Sequence, residues 1–90
     1  MRPRTYESSR LRAEALRFYE GALEEAAWAT NDLDAARDWD WVGDWDRAWR
    51  YAQSAAHHAS LARECMAQAR TALRTARAEE RRAEEKRRAA

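Results

Sequence analysis

Residues that break helices are nearly absent from this chain, which has one proline and two glycines among ninety residues. Twenty-two residues are alanine, the strongest helix former, whereas a proline inside a helix costs about 3 kcal/mol relative to alanine. The composition therefore predicts an all-α chain. Gly43 lies near the middle and is followed by Asp44, a favoured N-cap residue. We predict one turn, at residues 41–43, and an antiparallel helical hairpin of two long helices.

The first helix is predicted over residues 6–40, after a frayed lead at residues 1–5 in which Thr5 is the N-cap. Gly21 lies inside this helix and is expected to allow a neighbouring helix to approach closely. The apolar residues form two adjoining flanks, as in a helix that packs on more than one neighbour. One flank holds Leu16, Tyr19, Leu23, Ala26, Thr30 and Leu33, and the other holds Leu11, Ala15, Phe18, Ala22 and Ala29.

The segment at residues 30–34 leaves an alternative open. Asn31 is a suitable cap for a new helix, with Asp32 and Asp34 stabilised in its first turn by the helix dipole. A break near residues 30–32 would give three helices. The continuous helix is favoured because the apolar stripe keeps its phase through Leu33.

The second helix is predicted over residues 44–88, ending in a basic tail that is supported by charge pairs and expected to fray. Its apolar residues recur at alternating steps of three and four, which predicts left-handed coiled-coil packing. The small side chains among them imply a close approach of the helices. This helix–helix seam is predicted to consist of Trp45, Ala48, Ala52, Ala55, Ala59, Ala62, Met66, Ala69 and Leu73, with Trp45 in the core.

The predicted core is thin, because the chain has six leucines, one valine and no isoleucine. A chain of this length buries a modest fraction of its surface on folding, so a monomer is expected to be marginal. We therefore predict that the hairpin pairs with a second copy as a homodimeric four-helix bundle, with an unidentified protein, or with both. The predicted function is a non-enzymatic protein–protein interaction or adaptor module.

Charge is distributed unevenly along the predicted rod. Residues 31–60 carry a net charge of −3 and residues 61–90 a net charge of +4. In a hairpin, the arginines of the N-terminal segment come to lie beside the basic tail, and the aspartates between residues 32 and 46 collect at the turn. The rod is expected to be positive at its open end and negative at its tip.

The turn region is rich in tryptophan. Trp39 and Trp41 cannot both face inward from one helix, so at least one is expected to be partly exposed, next to Asp38 and Asp40. Since tryptophan is enriched at interface hot spots, these four residues are a candidate partner-binding tip. The alternative is a local aromatic cluster that closes the hairpin.

Metal binding and catalysis are not indicated. The aspartates around Gly43 match part of a calcium-binding EF-hand loop, but Trp49 stands where the bidentate glutamate is required. His58 and Cys65 lie seven residues apart, with no third ligand at metal-site spacing. We predict no metal, no cofactor, no catalytic residues and no enzymatic activity.

The second helix also carries a basic stripe. Arginines at steps of three and four can follow a phosphate backbone, so the alternative function is a small nucleic-acid-associated accessory protein. The stripe consists of Arg70, Arg74, Arg77 and Arg81.

The segment G43-D-W-D-R-A-W-R-Y-A-Q-S-A55 resembles the turn and second helix of a tetratricopeptide repeat. The likeness lies in the Gly-Asp-aromatic turn and in the small residues Ala48 and Ala55, seven apart. It implies a helix-turn-helix scaffold with, at most, a protein-binding role.

Cys65 is the only cysteine, which excludes an internal disulfide and favours a reducing compartment. The polar N-terminal segment has no signal-peptide pattern, and no stretch has the roughly 20 apolar residues of a membrane span. We predict a cytoplasmic protein without membrane contact. Alanine and arginine enrichment is typical of GC-rich bacterial or phage genomes.

Overall fold

The chain folds into an antiparallel hairpin of two long helices, α1 (Tyr6–Trp41) and α2 (Trp45–Ala89), which confirms the all-α prediction. The computed structural model describes residues 4–90. Residues 1–3 of the predicted lead, which include Arg2, lie outside the described part. The molecule is a rod with Cα extents of 71 × 16 × 12 Å.

Helix α1 begins with a reciprocal cap. The Ser8 backbone N–H donates to Thr5 Oγ1 at 3.0 Å, and the Thr5 backbone N–H donates to Ser8 Oγ at 2.9 Å. Serine thus takes the place that glutamate or glutamine has in the usual capping box. Two of the unpaired donors at the helix start are satisfied in this way.

Helix α1 runs through residues 30–34 without a break, so the three-helix alternative is wrong. Asp32, expected in the first turn of a third helix, instead accepts a hydrogen bond from Ser54 Oγ of α2 at 2.5 Å and so joins the continuous α1 to α2.

One residue, Asp44, serves both helices at the turn. Its backbone N–H donates to Trp39 O at 2.9 Å, and the Gly43 N–H donates to Asp40 O at 3.0 Å, the pattern of a Schellman motif. Its side chain accepts from the Arg47 N–H at 3.0 Å and caps α2, as the sequence predicted. Gly43 has a φ of 84°, a left-handed conformation that disfavours any residue with a Cβ.

The helices meet along a seam in which most of the buried residues are small and recur at multiples of seven. In α1 these are Ser8, Ala22 and Ala36, and in α2 they are Ala48, Ala55, Ala69 and Ala76. Leu11, Ala72 and Glu80 are buried beside them. A seven-residue repeat keeps the contact surface aligned along two supercoiled helices. The other predicted seam residues Ala52, Ala59, Ala62, Met66 and Leu73 are half-buried.

Two sequence expectations need correction. Trp45, predicted to lie in the core, is 68% exposed, because it is the first residue of α2, where α1 has already reached its last turn. Gly21 is not required for a close approach. A Cβ built there would lie 3.8 Å from Cys65 Sγ, which is ordinary van der Waals contact.

One ion pair joins the helices near their open end. The Arg12 guanidinium donates to both oxygens of Glu80, with distances of 2.7 and 2.8 Å. Glu80 is buried, and the hydrogen bonds from Arg12 are the main cause that lowers its pKa to about 2. The sequence pattern placed Glu80 among the solvated charges of the tail.

Candidate interaction surface

Four of the larger apolar residues of α1 lie at the edge of the contact with α2 or outside it, whereas Leu11 is buried in the contact. The seam uses the flank that contains Ala22, and the flank that contains Leu23 lies outside it. Leu16, Tyr19, Leu23 and Leu33 are between 42% and 57% exposed. Their spacing of three, four and ten residues keeps them on one side of the helix.

A matching stripe lies on α2. Trp45 and Trp49 stack on each other with ring centroids 6.3 Å apart, and Trp49 is 54% exposed. Farther along the helix the stripe continues through half-buried Ala52, Ala59, Met66 and Leu73. These four residues of the predicted seam recur every seven residues from Trp45.

Two shallow grooves lie between the helices on this side, and the groove toward the open end is lined by residues of both stripes. The groove near the turn is lined by Arg37 and Asp40 of α1 and by Trp45 and Trp49 of α2. The groove toward the open end is lined by Leu16 and Tyr19 of α1 and by Met66, Arg70 and Leu73 of α2. We call this surface the outer face, defined by Leu16, Tyr19, Leu23, Leu33, Trp45, Trp49, Met66 and Leu73.

The outer face extends along much of the rod. From Trp45 to Leu73 it is about 42 Å long, at ~1.5 Å per residue. Across the 16 Å Cα width of the hairpin this gives a footprint of roughly 700 Å², apolar and polar residues together.

The opposite side of the hairpin is polar where the helices meet. His58 Nδ1 lies 2.5 Å from Glu25 Oε2, and His58 Nε2 lies 3.9 Å from Asp32 Oδ2. Trp28 stacks on His58 with ring centroids 6.2 Å apart and so contacts α2 across the hairpin, although it is 53% exposed. These contacts join the two helices on the side opposite the outer face.

The tip contains one aromatic side chain that is nearly free. Trp41 is 90% exposed, whereas Trp39 is half-buried beneath the Arg47 guanidinium, 4.4 Å from its ring centroid. The prediction that at least one of the two is exposed is confirmed. Asp38 and Asp40 are exposed beside them. Whether this tip binds a partner stays a prediction.

The basic stripe of α2 is solvent-facing. Its four arginines are exposed, and none forms an ion pair with any residue in the described range 4–90. Arg70 differs from the other three because it also lines the groove near Leu16.

Residues 4–90 contain no group of three or more histidine, cysteine or acidic side chains arranged to hold a metal ion. Neither helix in this range has an apolar stretch that would cross a bilayer. Cys65 is half-buried against Gly21 of α1.

No protein-family model, curated protein or solved structure matches this chain.

Proposed function

We propose that this chain is a non-enzymatic interaction module that self-associates through its outer face, two hairpins forming a four-helix bundle. The observation that carries the proposal is that α1 buries one set of residues against α2 and leaves a second set of larger apolar residues exposed. Ser8, Leu11, Ala22 and Ala36 are buried against α2, while Leu16, Tyr19, Leu23 and Leu33 are exposed along one line. Burying such side chains contributes about 25 cal/mol per Å² of apolar area, which is the main driving force for association.

The size of the outer face fits a stable dimer. Two copies that cover each other over this footprint would remove roughly 1,400 Å² from solvent, and specific interfaces bury about 1,200–2,000 Å² in total. The core of the hairpin alone consists mainly of small side chains, and Leu11 is its one leucine among the described residues. A second layer of helices would supply the large apolar contacts that the seam lacks.

Light scattering coupled to size exclusion tests the proposal. We expect wild type to have twice the chain mass of 10.5 kDa, and the double variant Leu23→Gln/Leu33→Gln to be monomeric at the same concentration. The matched control is Glu24→Gln/Asn31→Gln, which places the same side chains on exposed positions of α1 that have no outer-face residue three or four positions away. This control should remain dimeric.

Thermal unfolding followed by circular dichroism provides a second measurement, in case the outer-face variant does not fold. The unfolding temperature of a folded dimer rises with protein concentration, because dissociation is coupled to unfolding. An unfolding temperature of wild type that is the same over a hundredfold range of concentration, together with a monomeric mass, would contradict the proposal.

A second candidate function is the binding of nucleic acid by the basic stripe, favoured by the exposure of its four arginines. Phosphate contacts weaken steeply with salt, so binding should appear first at low salt. An electrophoretic shift series at rising salt, with Arg74→Gln/Arg81→Gln as the variant, tests it. Lack of a shift at the lowest salt would exclude this function.

A further inference from the structure

We infer that the partner of the outer face is a second copy running in the opposite direction, so that the Trp45 and Trp49 pair of each copy packs against Leu16, Tyr19 and Leu73 of the other. This inference rests on the proposed self-association and adds its orientation. Two independent features of the hairpin support it, the symmetry of its apolar pattern and the polarity of its charge.

The midpoints of the apolar stripes on α1 and α2 lie at the same height along the rod. On α2 the outer face runs from Trp45 to Leu73, with Ala59 halfway between them. On α1 it runs from Leu16 to Leu33, with its midpoint between Glu24 and Glu25. The contact of Glu25 with His58 places these two midpoints side by side.

A two-fold axis through this level, perpendicular to the rod, exchanges the two ends of the outer face. Trp45 of one copy then lies at the level of Leu73 of the other, and Trp49 at the level of Ala69, within the groove lined by Leu16 and Tyr19. The bulky indoles meet a groove, and alanine-rich segments meet near the axis. Such an isologous contact is complete with two copies.

Charge distinguishes this orientation from the parallel one. Residues 38–46 contain four aspartates and no basic residue. At the other end of the outer face lie the exposed arginines Arg70, Arg74 and Arg77 of α2, whereas the charge of Arg12 is paired with Glu80. The reversed orientation places aspartates of each copy beside arginines of the other, whereas the parallel orientation would place the two acidic tips together and cost free energy through like-charge repulsion.

Spin-label distance measurements test the orientation. Cys65→Ala removes the native thiol, and a label is placed either at the tip (Asp46→Cys) or near the proposed axis (Glu24→Cys), both positions being exposed. Asp46 lies thirteen residues from Ala59, so reversed copies separate the tip labels by about 40 Å along the rod, at ~1.5 Å per residue. Labels at Glu24 should be separated mainly by the width of the bundle, about 20 Å for helices packed ~10 Å apart.

The outcomes distinguish the orientation of the two copies from self-association itself. A long distance at the tip with a short distance near the axis supports the reversed dimer. Short distances at both positions would overturn the orientation while leaving self-association intact. Absence of dipolar coupling at both positions, together with a monomeric mass, would overturn the proposed self-association itself.

Discussion

Arg12 and Glu80, sixty-eight residues apart in the chain, form a two-pronged ion pair that joins α1 to α2 near the open end of the hairpin. Glu80 is the only buried charged side chain among the described residues. A carboxylate in this position is stabilised only while its partner remains, since a buried charge without a partner is costly. The pair therefore fixes how the ends of the two helices meet.

The Arg12–Glu80 pair makes the stability of the hairpin dependent on pH in the acid range. Because the folded pKa of Glu80 is lowered to about 2, below its ordinary value of 4.5, its contribution to stability is complete above about pH 5. It should decline as the pH falls from about 5 to about 2. We expect the unfolding temperature of wild type to fall in this window more than that of Glu80→Gln, as measured by circular dichroism.

Exposed carboxylates supply the control for this experiment. Glu7 also has a lowered pKa, through its hydrogen bond to Arg10, but both side chains are about half exposed and water screens their interaction. Glu7→Gln should keep the acid dependence of wild type. If Glu80→Gln also kept it, the Arg12–Glu80 pair would not be the source of the acid sensitivity.

The two glycines should respond in opposite directions to substitution by alanine. At Gly21 a Cβ has room and the backbone is helical, so Gly21→Ala should stabilise the chain by about 1 kcal/mol. At Gly43 the positive φ strains any side chain, so Gly43→Ala should destabilise by about 1–2 kcal/mol. Chemical denaturation measures both. A loss of stability in Gly21→Ala would show that the helices are closer than the structure places them.

The fold was predictable from the sequence because its signals are local. Scarce helix breakers, the Gly43–Asp44 turn and the repeating small residues of α2 all act over a few residues. These signals suffice for the hairpin and for the buried alanines Ala48, Ala55 and Ala69.

The direction of the apolar faces was not predictable, because it depends on which side chains fit between two helices. Helix α1 has two apolar flanks, and hydrophobicity alone favours the one with Leu16, Leu23 and Leu33. Small residues allow the closer packing, so the alanine flank takes the seam and the leucines remain outside. Glu80 was missed for a related reason, since its partner is remote in sequence.

Charge reversal should reveal contacts between copies of the chain. Asp40 and Arg70 line the two grooves at opposite ends of the outer face, and reversed copies bring them close. Asp40→Arg or Arg70→Asp alone should each raise the Kd of the dimer roughly fivefold, as expected for weak surface pairs that each occur twice in the dimer. The double variant Asp40→Arg/Arg70→Asp should recover most of the affinity, because opposite charges again face each other. The matched control is Asp34→Arg, which is exposed near the same end and should change the Kd of the dimer little.

Sedimentation equilibrium at low salt measures these dissociation constants. If Asp34→Arg and Asp40→Arg weakened the dimer equally, the effect would come from net charge and not from a specific contact.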